Sequence, residues 1–211
     1  MTDYSGSLDA LKQDKRLAPL IKKYGPPEFR RHVGKVNVFA ALVRSIIYQQ
    51  LSGSAAGAIH KRVLALFPSG KPSPEILLKI RTLRLRKAGV SLQKINYLRD
   101  LAHKCIDGTI NASNFPKMSS EEIIEHLVQV KGVGIWTAHM ILIFTLHRRD
   151  ILPTGDLGVR KGFQVVYRLR QLPDHAAMER RAKPWRAHAS VAAWYLWRAA
   201  DSAKEAKATS R

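Results

Sequence analysis

Two glycines that bracket a single apolar residue are the first feature of the sequence that could form a binding site. Gly132 and Gly134 enclose Val133, and apolar residues at helical spacing lie on both sides of them. This spacing allows a tight turn between two helices, with the second glycine at the electropositive start of a helix. Unpaired N–H groups in such a turn can bind a phosphate. The same spacing also fits an ordinary connection between helices, and the glycines alone do not decide between the two interpretations.

Asp156 is the second candidate, because it lies immediately before an apolar helical run. The simplest interpretation is a helix N-cap, and the helix end behind the carboxylate would favour its ionised form. An ionised carboxylate in a cleft also suits cleavage of a glycosidic bond, since it stabilises an oxocarbenium-like transition state. One side chain can serve both roles. Its position alone favours the N-cap.

The elements that must position these residues are helices throughout. Apolar residues recur at helical spacing, and no stretch shows the sustained alternation of a half-buried strand. The fold class is therefore predicted to be all-α, in one compact body over residues 1–211 with a frayed polar tail at 201–211. The first predicted helix contains Leu8 to Ile21 and ends at the Tyr24–Pro27 break, and the others cover 37–50, 54–67, 74–80, 82–87, 91–106, 119–128, 135–147, 156–169, 174–182 and 184–200. The second and eighth of these are strongly apolar, and Ser119 with Glu122 predicts a capping box.

Charge and cysteine content narrow the functional class. The formal net charge is +20, from 36 Lys and Arg against 16 Asp and Glu. A domain with this excess usually meets a polyanion, and nucleic acid is the leading candidate. No apolar run reaches the roughly 20 residues that span a bilayer, and no secretory signal is evident. The single cysteine, Cys105, excludes an internal disulfide and a self-contained four-cysteine iron–sulfur or zinc site. The basic run from Lys79 to Lys104 is interpreted mainly as a solvated, steering surface.

Four motifs in order resemble one family. Residues 127–138, with the two glycines followed by Thr137 and Ala138, resemble the DNA-binding hairpin of the helix-hairpin-helix glycosylases. Residues 152–162 resemble the catalytic-aspartate loop of that superfamily, and residues 46–52 its glutamine-rich segment facing the lesion. Residues 184–186 and 191–195 resemble the closing helix of its alkylation-repair branch. Together they cover roughly residues 36 to 200, and the family they resemble is 3-methyladenine DNA glycosylase II.

The resemblance implies two packed helical lobes with an active-site cleft between them that holds a flipped base. The lobes are expected at 36–150, with the hairpin at 127–138, and at 1–35 plus 151–200. Asp156 is then the catalytic carboxylate. The substrate pocket is expected to include Trp136, Trp194, Tyr195 and Gln49, although tryptophans on apolar helices are more often core residues. The DNA-binding set is Gln50, Leu51, Ser52, Lys131, Gly132, Val133, Gly134, Thr137, Arg160 and Lys161, with Leu51 or Ser52 as the wedge.

The resemblance also implies a monovalent cation, Na+ or K+, held by the main-chain carbonyls of Val128, Val130 and Val133 and bridging to a DNA phosphate. Lys131 departs from the proline common at its place, which predicts a less rigid turn or a direct phosphate contact. No cofactor is expected for the chemistry, and no iron–sulfur cluster. Bifunctional members carry a catalytic lysine where this chain has Trp136, so no Schiff-base amine is expected there.

The implied function is that of a monofunctional, monomeric, intracellular DNA glycosylase, cytoplasmic or nucleoid-associated, or nuclear in a eukaryote. It would flip N3-methyladenine or N7-methylguanine out of duplex DNA and hydrolyse the glycosidic bond, which leaves an abasic site. Two alternatives remain open at this point. One is a non-catalytic helix-hairpin-helix protein that binds DNA or senses lesions. The other is a glycosylase that acts on other damaged bases, with or without lyase activity.

Overall fold

The computed structural model describes residues 4–29 and 37–209. Over these ranges the chain forms helices, short 3₁₀ turns and loops, with no β-strand within them, so the predicted all-α class is confirmed. The helices are α1 (Ser5–Lys12), α2 (Ala18–Tyr24), α3 (Val38–Tyr48), α4 (Gly53–Leu64), α5 (Pro74–Lys79), α6 (Thr82–Lys87), α7 (Leu92–Ile106), α8 (Ser120–Leu127), α9 (Ile135–Phe144), α10 (Leu157–Val166), α11 (His175–Ala182) and α12 (Ala189–Thr209). No helix within these ranges is both long and apolar enough to cross a membrane.

The chain divides into two compact units. One consists of Met1–Arg31 with Leu142–Arg211, and the other of His32–Ile141. The division between Ile141 and Leu142, near the end of α9, lies nine residues before the boundary predicted between residues 150 and 151. The other predicted boundary, between residues 35 and 36, lies outside the described residues.

In the first unit, α10 packs against α12 with almost no space between their backbones. A Cβ added to Gly162 would lie 2.2 Å from the carbonyl oxygen of Leu196, so only glycine permits this approach. Around this contact lies a core of fully buried apolar residues, which includes Leu11, Leu17 and Phe163. The close contact fixes the position of α10, and the candidate catalytic loop ends at the N-terminus of this helix.

Both ends of this unit differ from the sequence-based expectation. The single helix predicted before the Tyr24–Pro27 break is instead two helices, because Oδ1 of Asp14 accepts the backbone N–H groups of Arg16 (2.8 Å) and Leu17 (3.3 Å) and turns the chain there. The tail predicted to fray at 201–211 is helical as far as Thr209. Its sequence is rich in alanine and lysine, which favour helix, and Ser202 Oγ lies 2.7 Å from Tyr24 Oη.

In the second unit, α7 is the central helix. It buries Ile95, Leu98, Leu101 and Ala102 on one face, and its other residues face partly or fully outward. The side chain of Ser91 caps its start by accepting the N–H of Lys94. The capping box predicted for α8 is present, with Ser119 and Glu122 each accepting the other's backbone N–H.

The only cysteine, Cys105, lies in the last turn of α7 and is half-buried. Burial raises the pKa of its thiol to about 11, and the negative charges of Asp107 and Glu75 act in the same direction. At neutral pH the side chain is therefore a protonated thiol.

Candidate active site

Asp156 is the N-cap of α10 and holds a fixed position. Its Oδ1 accepts the backbone N–H of Val159 at 2.8 Å and the indole N–H of Trp197 at 2.8 Å. The first bond is the capping interaction predicted from sequence, and the second comes from α12. Hydrogen bonds of this kind to an ionised acceptor are short and strong, so the half-buried carboxylate is held in one orientation.

The loop that leads to Asp156 is anchored to its own unit by side chains. Ser190 Oγ accepts the N–H of Ile151 at 3.1 Å, and the backbone N–H of Ser190 donates to the carbonyl of Arg149 at 2.8 Å. Closer to the aspartate, Thr154 Oγ1 lies 2.8 Å from His175 Nδ1. The loop is therefore fixed at both ends of its approach to α10.

Trp197 is the neighbour of Asp156 that the sequence did not identify. Its ring stacks on Phe144, with centroids 5.6 Å apart and an interplanar angle of 28°. A Cβ at Gly158 would lie 2.8 Å from Trp197 Cδ1 and 3.1 Å from Asp156 Oδ1, so the absence of a side chain there gives the indole its place. In the sequence, Gly158 is the one signal of this contact, and the signal cannot be interpreted without knowing that α12 packs beside it.

Tyr195 was predicted to line the pocket, and its position does not support this. The side chain is fully buried in the core of the first unit, and its Oη donates to the carbonyl of Gly25 at 2.7 Å. Burial also raises the pKa of this phenol to about 12. Tyr195 is a structural residue that ties α12 to the chain after α2.

Trp194, also predicted for the pocket, belongs largely to the same core. It is 8% exposed and meets Tyr24 and Tyr195 edge to face, with centroids 6.5 and 5.0 Å away. The guanidinium of Arg198 lies 4.9 Å from its ring centroid. Of the two tryptophans on α12, Trp197 is the one that donates its indole N–H to Asp156.

Trp136 has the opposite character. It is the second residue of α9 and is 53% exposed, and the preceding Ile135 is 63% exposed. Both side chains are therefore accessible to a ligand at the start of the helix. This position agrees with the predicted stacking role, which stays a prediction.

The predicted hairpin is present between α8 and α9 as a tight turn in the second unit. Gly132 has φ +80°, and a Cβ on it would lie 2.2 Å from the ring of Tyr97, so this position requires glycine for two reasons. The turn is closed by the N–H of Val133, which donates to the carbonyl of Val130 at 3.0 Å.

The structure divides the predicted DNA-binding residues of the hairpin into two sets. Lys131, Gly132 and Gly134 are exposed, whereas Val133 and Thr137 are buried, with 4% and 6% of their surface exposed. The N–H of Lys131 donates to Asp100 Oδ2 at 2.8 Å and is not available to a phosphate. Its ammonium group remains a candidate.

Residues 49–52 form an exposed turn between α3 and α4. The side chain of Gln49 donates from Nε2 to the carbonyl of Gly132 at 2.7 Å, which connects this turn to the hairpin. Gln50 has φ +57°, a strained conformation for a residue other than glycine, of the kind that functional sites often retain. Leu51 is 41% exposed and Ser52 is also exposed, as a wedge would be. Gln49 thus has a bracing contact that the sequence did not predict.

Arg160 lies in the first turn of α10, and Lys161 follows it at the start of the second turn. Arg160 donates from Nε to the carbonyl of Pro173 at 3.1 Å, which is a local structural contact. Lys161 is exposed. Among the residues that the structure describes, no cluster of three or more His, Cys, Asp or Glu side chains could hold a metal ion.

Comparison with known proteins identifies the family. The family described as "HhH-GPD superfamily base excision DNA repair protein" matches residues 43–187. The DNA-3-methyladenine glycosylase 1 of Schizosaccharomyces pombe is 34% identical over 195 residues, which cover 92% of this chain and 84% of that protein.

Two solved structures share the fold. A 3-methyladenine DNA glycosylase of Schizosaccharomyces pombe in complex with abasic DNA matches with a TM-score of 0.80 and 33% identity over 92% of this chain and 95% of the other. A DNA-3-methyladenine glycosidase from Bacillus halodurans matches with a TM-score of 0.85 and 34% identity over 95% and 92% of the two chains. With the family match extending over most of the chain and relatives aligned over nearly all of it, this protein belongs to the HhH-GPD superfamily of base excision DNA repair proteins.

Proposed function

We propose that this protein is a monofunctional DNA glycosylase that removes alkylated purines, such as N3-methyladenine and N7-methylguanine, from duplex DNA. The observation that carries the proposal is the fixed carboxylate of Asp156, held by two N–H donors at the start of α10. The named relatives, 3-methyladenine glycosylases, support the choice of substrate.

The chemistry requires one ionised carboxylate. An N3- or N7-alkylated purine is cationic, so the C1′–N bond can break with its electron pair going to the base, which leaves as a neutral molecule. The sugar is left with oxocarbenium character, which the negative charge of Asp156 stabilises. Water then adds to C1′ and loses a proton, and the product is an abasic site. The two N–H donors, from Val159 and Trp197, hold the Asp156 carboxylate in one orientation at the start of α10.

Selection of the base is assigned to exposed aromatic surface. A cationic purine stacks favourably on an indole, with each cation–π contact worth about 0.5–2 kcal/mol. Trp136 offers an indole that is 53% exposed. Trp197, which is half-buried and stacked on Phe144, is assigned instead to holding Asp156 in place. An uncharged, normally paired base gains less from such contacts and also costs more to extrude.

DNA contact is assigned to the hairpin, the turn at 49–52 and the basic surface, with the protein acting as a monomer on cellular DNA, in the nucleoid or the nucleus. A Na+ or K+ ion held by the carbonyls of Val128, Val130 and Val133 would add charge for a phosphate. Carbonyl oxygens suit such hard cations, and the carbonyl of Val130, although bonded to the N–H of Val133, keeps a second lone pair. Light scattering tests whether the protein is a monomer. A DNA affinity that depends on K+ concentration would support the cation at the hairpin.

The decisive experiment measures free bases released from methylated duplex DNA by the wild type and by Asp156→Asn. Asparagine is as good an N-cap as aspartate, so the fold should persist while the charge is lost. A carboxylate about 4 Å from a sugar cation contributes roughly 4 kcal/mol at an effective dielectric constant of 20, which corresponds to a loss of about 10³-fold in rate.

The matched control is Asp174→Asn, because Asp174 caps α11 in the same unit by accepting the N–H of Ala177 at 2.6 Å. This variant should retain wild-type base release. Full single-turnover activity in Asp156→Asn would exclude the mechanism, and a wild type that releases no base would favour the lesion-sensing alternative. Trapping of a covalent protein–DNA adduct with borohydride would favour a lyase.

A further inference from the structure

Lys94, on α7, makes contacts that neither the catalytic aspartate nor the hairpin motif explains. Its ammonium group donates to the carbonyl of Ile47 at 2.7 Å and to the carbonyl of Gln49 at 2.7 Å. Both carbonyls belong to the end of α3, where helix carbonyls lack intrahelical partners and a cation is favoured. The side chain is partly buried, and burial lowers the pKa of its ammonium group. Lys94 is therefore a structural cation and not part of a solvated charge run.

The same face of α7 also holds the hairpin. Tyr97, one turn after Lys94, lies directly against Gly132. Asp100, a further turn along, accepts the N–H of Lys131 at 2.8 Å and is paired with Lys104 at 2.9 Å. Residues at such intervals occupy one helix face. Thus a single rigid helix contacts both the turn at 49–52 and the hairpin turn.

A direct bond closes this arrangement into a ring. The Gln49 side chain donates to the carbonyl of Gly132 at 2.7 Å, and the Gln49 main-chain carbonyl is the one that Lys94 binds. The next residue, Gln50, is the one with φ +57°. A strained conformation persists only where its surroundings over-determine it, and Lys94 fixes the residue immediately before it.

We propose that Lys94 is a positioning residue that locks the Gln49–Ser52 turn to the hairpin, so that base extrusion by the turn and phosphate binding by the hairpin occur as one event. The inference rests on the proposed function and adds a role for a residue remote from the reacting bond. If it holds, Lys94 matters for extrusion of a paired base and has little effect once the base is already unpaired.

The test compares single-turnover base release from two duplexes, one with the alkylated purine paired and one with it in a single-nucleotide bulge. Lys94→Met keeps the aliphatic stem and removes both hydrogen bonds. It should slow release from the paired duplex by roughly 10-fold or more, since extrusion pays for lost pairing and stacking, and by no more than about 2-fold from the bulge. Lys117→Met, which removes an exposed cation from the 3₁₀ turn Phe115–Lys117 outside the Lys79–Lys104 run, is the charge control and should leave the release rates from both duplexes unchanged.

Lys94→Gln replaces the ammonium by an uncharged amide N–H donor on a shorter side chain. It should show an intermediate defect on the paired duplex, which keeps the test available if Lys94→Met does not fold. Equal slowing on both duplexes, or none on the paired duplex, would overturn the proposal. Fluorescence of 2-aminopurine next to an abasic-site analogue reports unstacking without chemistry. It should rise less with Lys94→Met than with the wild type, even if base release, and with it the proposed function, failed.

Discussion

Gly158→Ala is the perturbation that tests the Asp156–Trp197 contact most directly, because it changes neither partner. The added Cβ would lie 2.8 Å from Trp197 Cδ1, whereas ordinary contacts begin at 3.4 Å, so the indole must retreat by at least 3.4 − 2.8 = 0.6 Å. Stacking on Phe144 restricts that movement. The same Cβ would lie 3.1 Å from Asp156 Oδ1, so both partners of the 2.8 Å bond between Trp197 Nε1 and Asp156 Oδ1 are crowded and the bond is expected to lengthen and weaken.

The energetic consequence can be bounded. A hydrogen bond to a charged group contributes about 1.5–3 kcal/mol, and replacing glycine by alanine in a helix returns about 0.5–1 kcal/mol. We expect a net loss of about 1–2 kcal/mol in the free energy of unfolding, measured by urea denaturation. Base release should slow by about 10-fold, because a misplaced catalytic group costs rate even when the displacement is below 1 Å.

Gly6→Ala is the matched control, since Gly6 lies in α1 of the same unit and a Cβ there would meet nothing within 4 Å. It should be neutral or slightly stabilising. In a Trp197→Phe background, which lacks the indole N–H, Gly158→Ala should cost less than in the wild type. The reasoning is refuted if Gly158→Ala is as stable and as active as Gly6→Ala.

Three further outcomes are expected. Tyr195→Phe should lower the free energy of unfolding by about 1–3 kcal/mol, because the carbonyl of Gly25 loses its donor, and should leave base release unchanged. A raised KM would mean that Tyr195 does line the substrate pocket. Trp136→Ala should change the melting temperature little, since the side chain is 53% exposed, and should raise the KM for alkylated DNA by about 3- to 30-fold. An unchanged KM would mean that Trp136 does not bind the substrate. Lys131→Ala should reduce the log–log salt slope of DNA affinity by about 0.9, and an unaltered slope would mean that its ammonium group contacts no phosphate.

The parts of the fold that local sequence determines were predictable. Helical periodicity gave the all-α class, and the Ser119–Glu122 capping box and the N-cap at Asp156 were read from residue type and spacing. The tight turn at Gly132 followed from the two glycines, and its φ of +80° agrees. Each of these depends on interactions within a few residues of chain.

The parts that depend on distant partners were not predictable. Trp194, Tyr195 and Trp197 all lie on one helix, and periodicity cannot tell which of them faces Asp156 until α10 is packed against it. Lys94 and Asp100 lie in a run interpreted as solvated charge, yet both bind main chain from other segments. A side chain's charge predicts that it needs a partner, but not which one the fold supplies.

The state of Cys105 has a consequence for a protein exposed to methylating agents. The reagents that alkylate ring nitrogens of purines also attack thiolates, and reactivity follows the thiolate fraction. With a pKa of about 11, the only sulfhydryl of the chain is about 10⁻⁴ ionised at pH 7, so it is a poor nucleophile. A glycosylase for alkylated purines with this property would keep its thiol unmethylated while the damage that it repairs is formed.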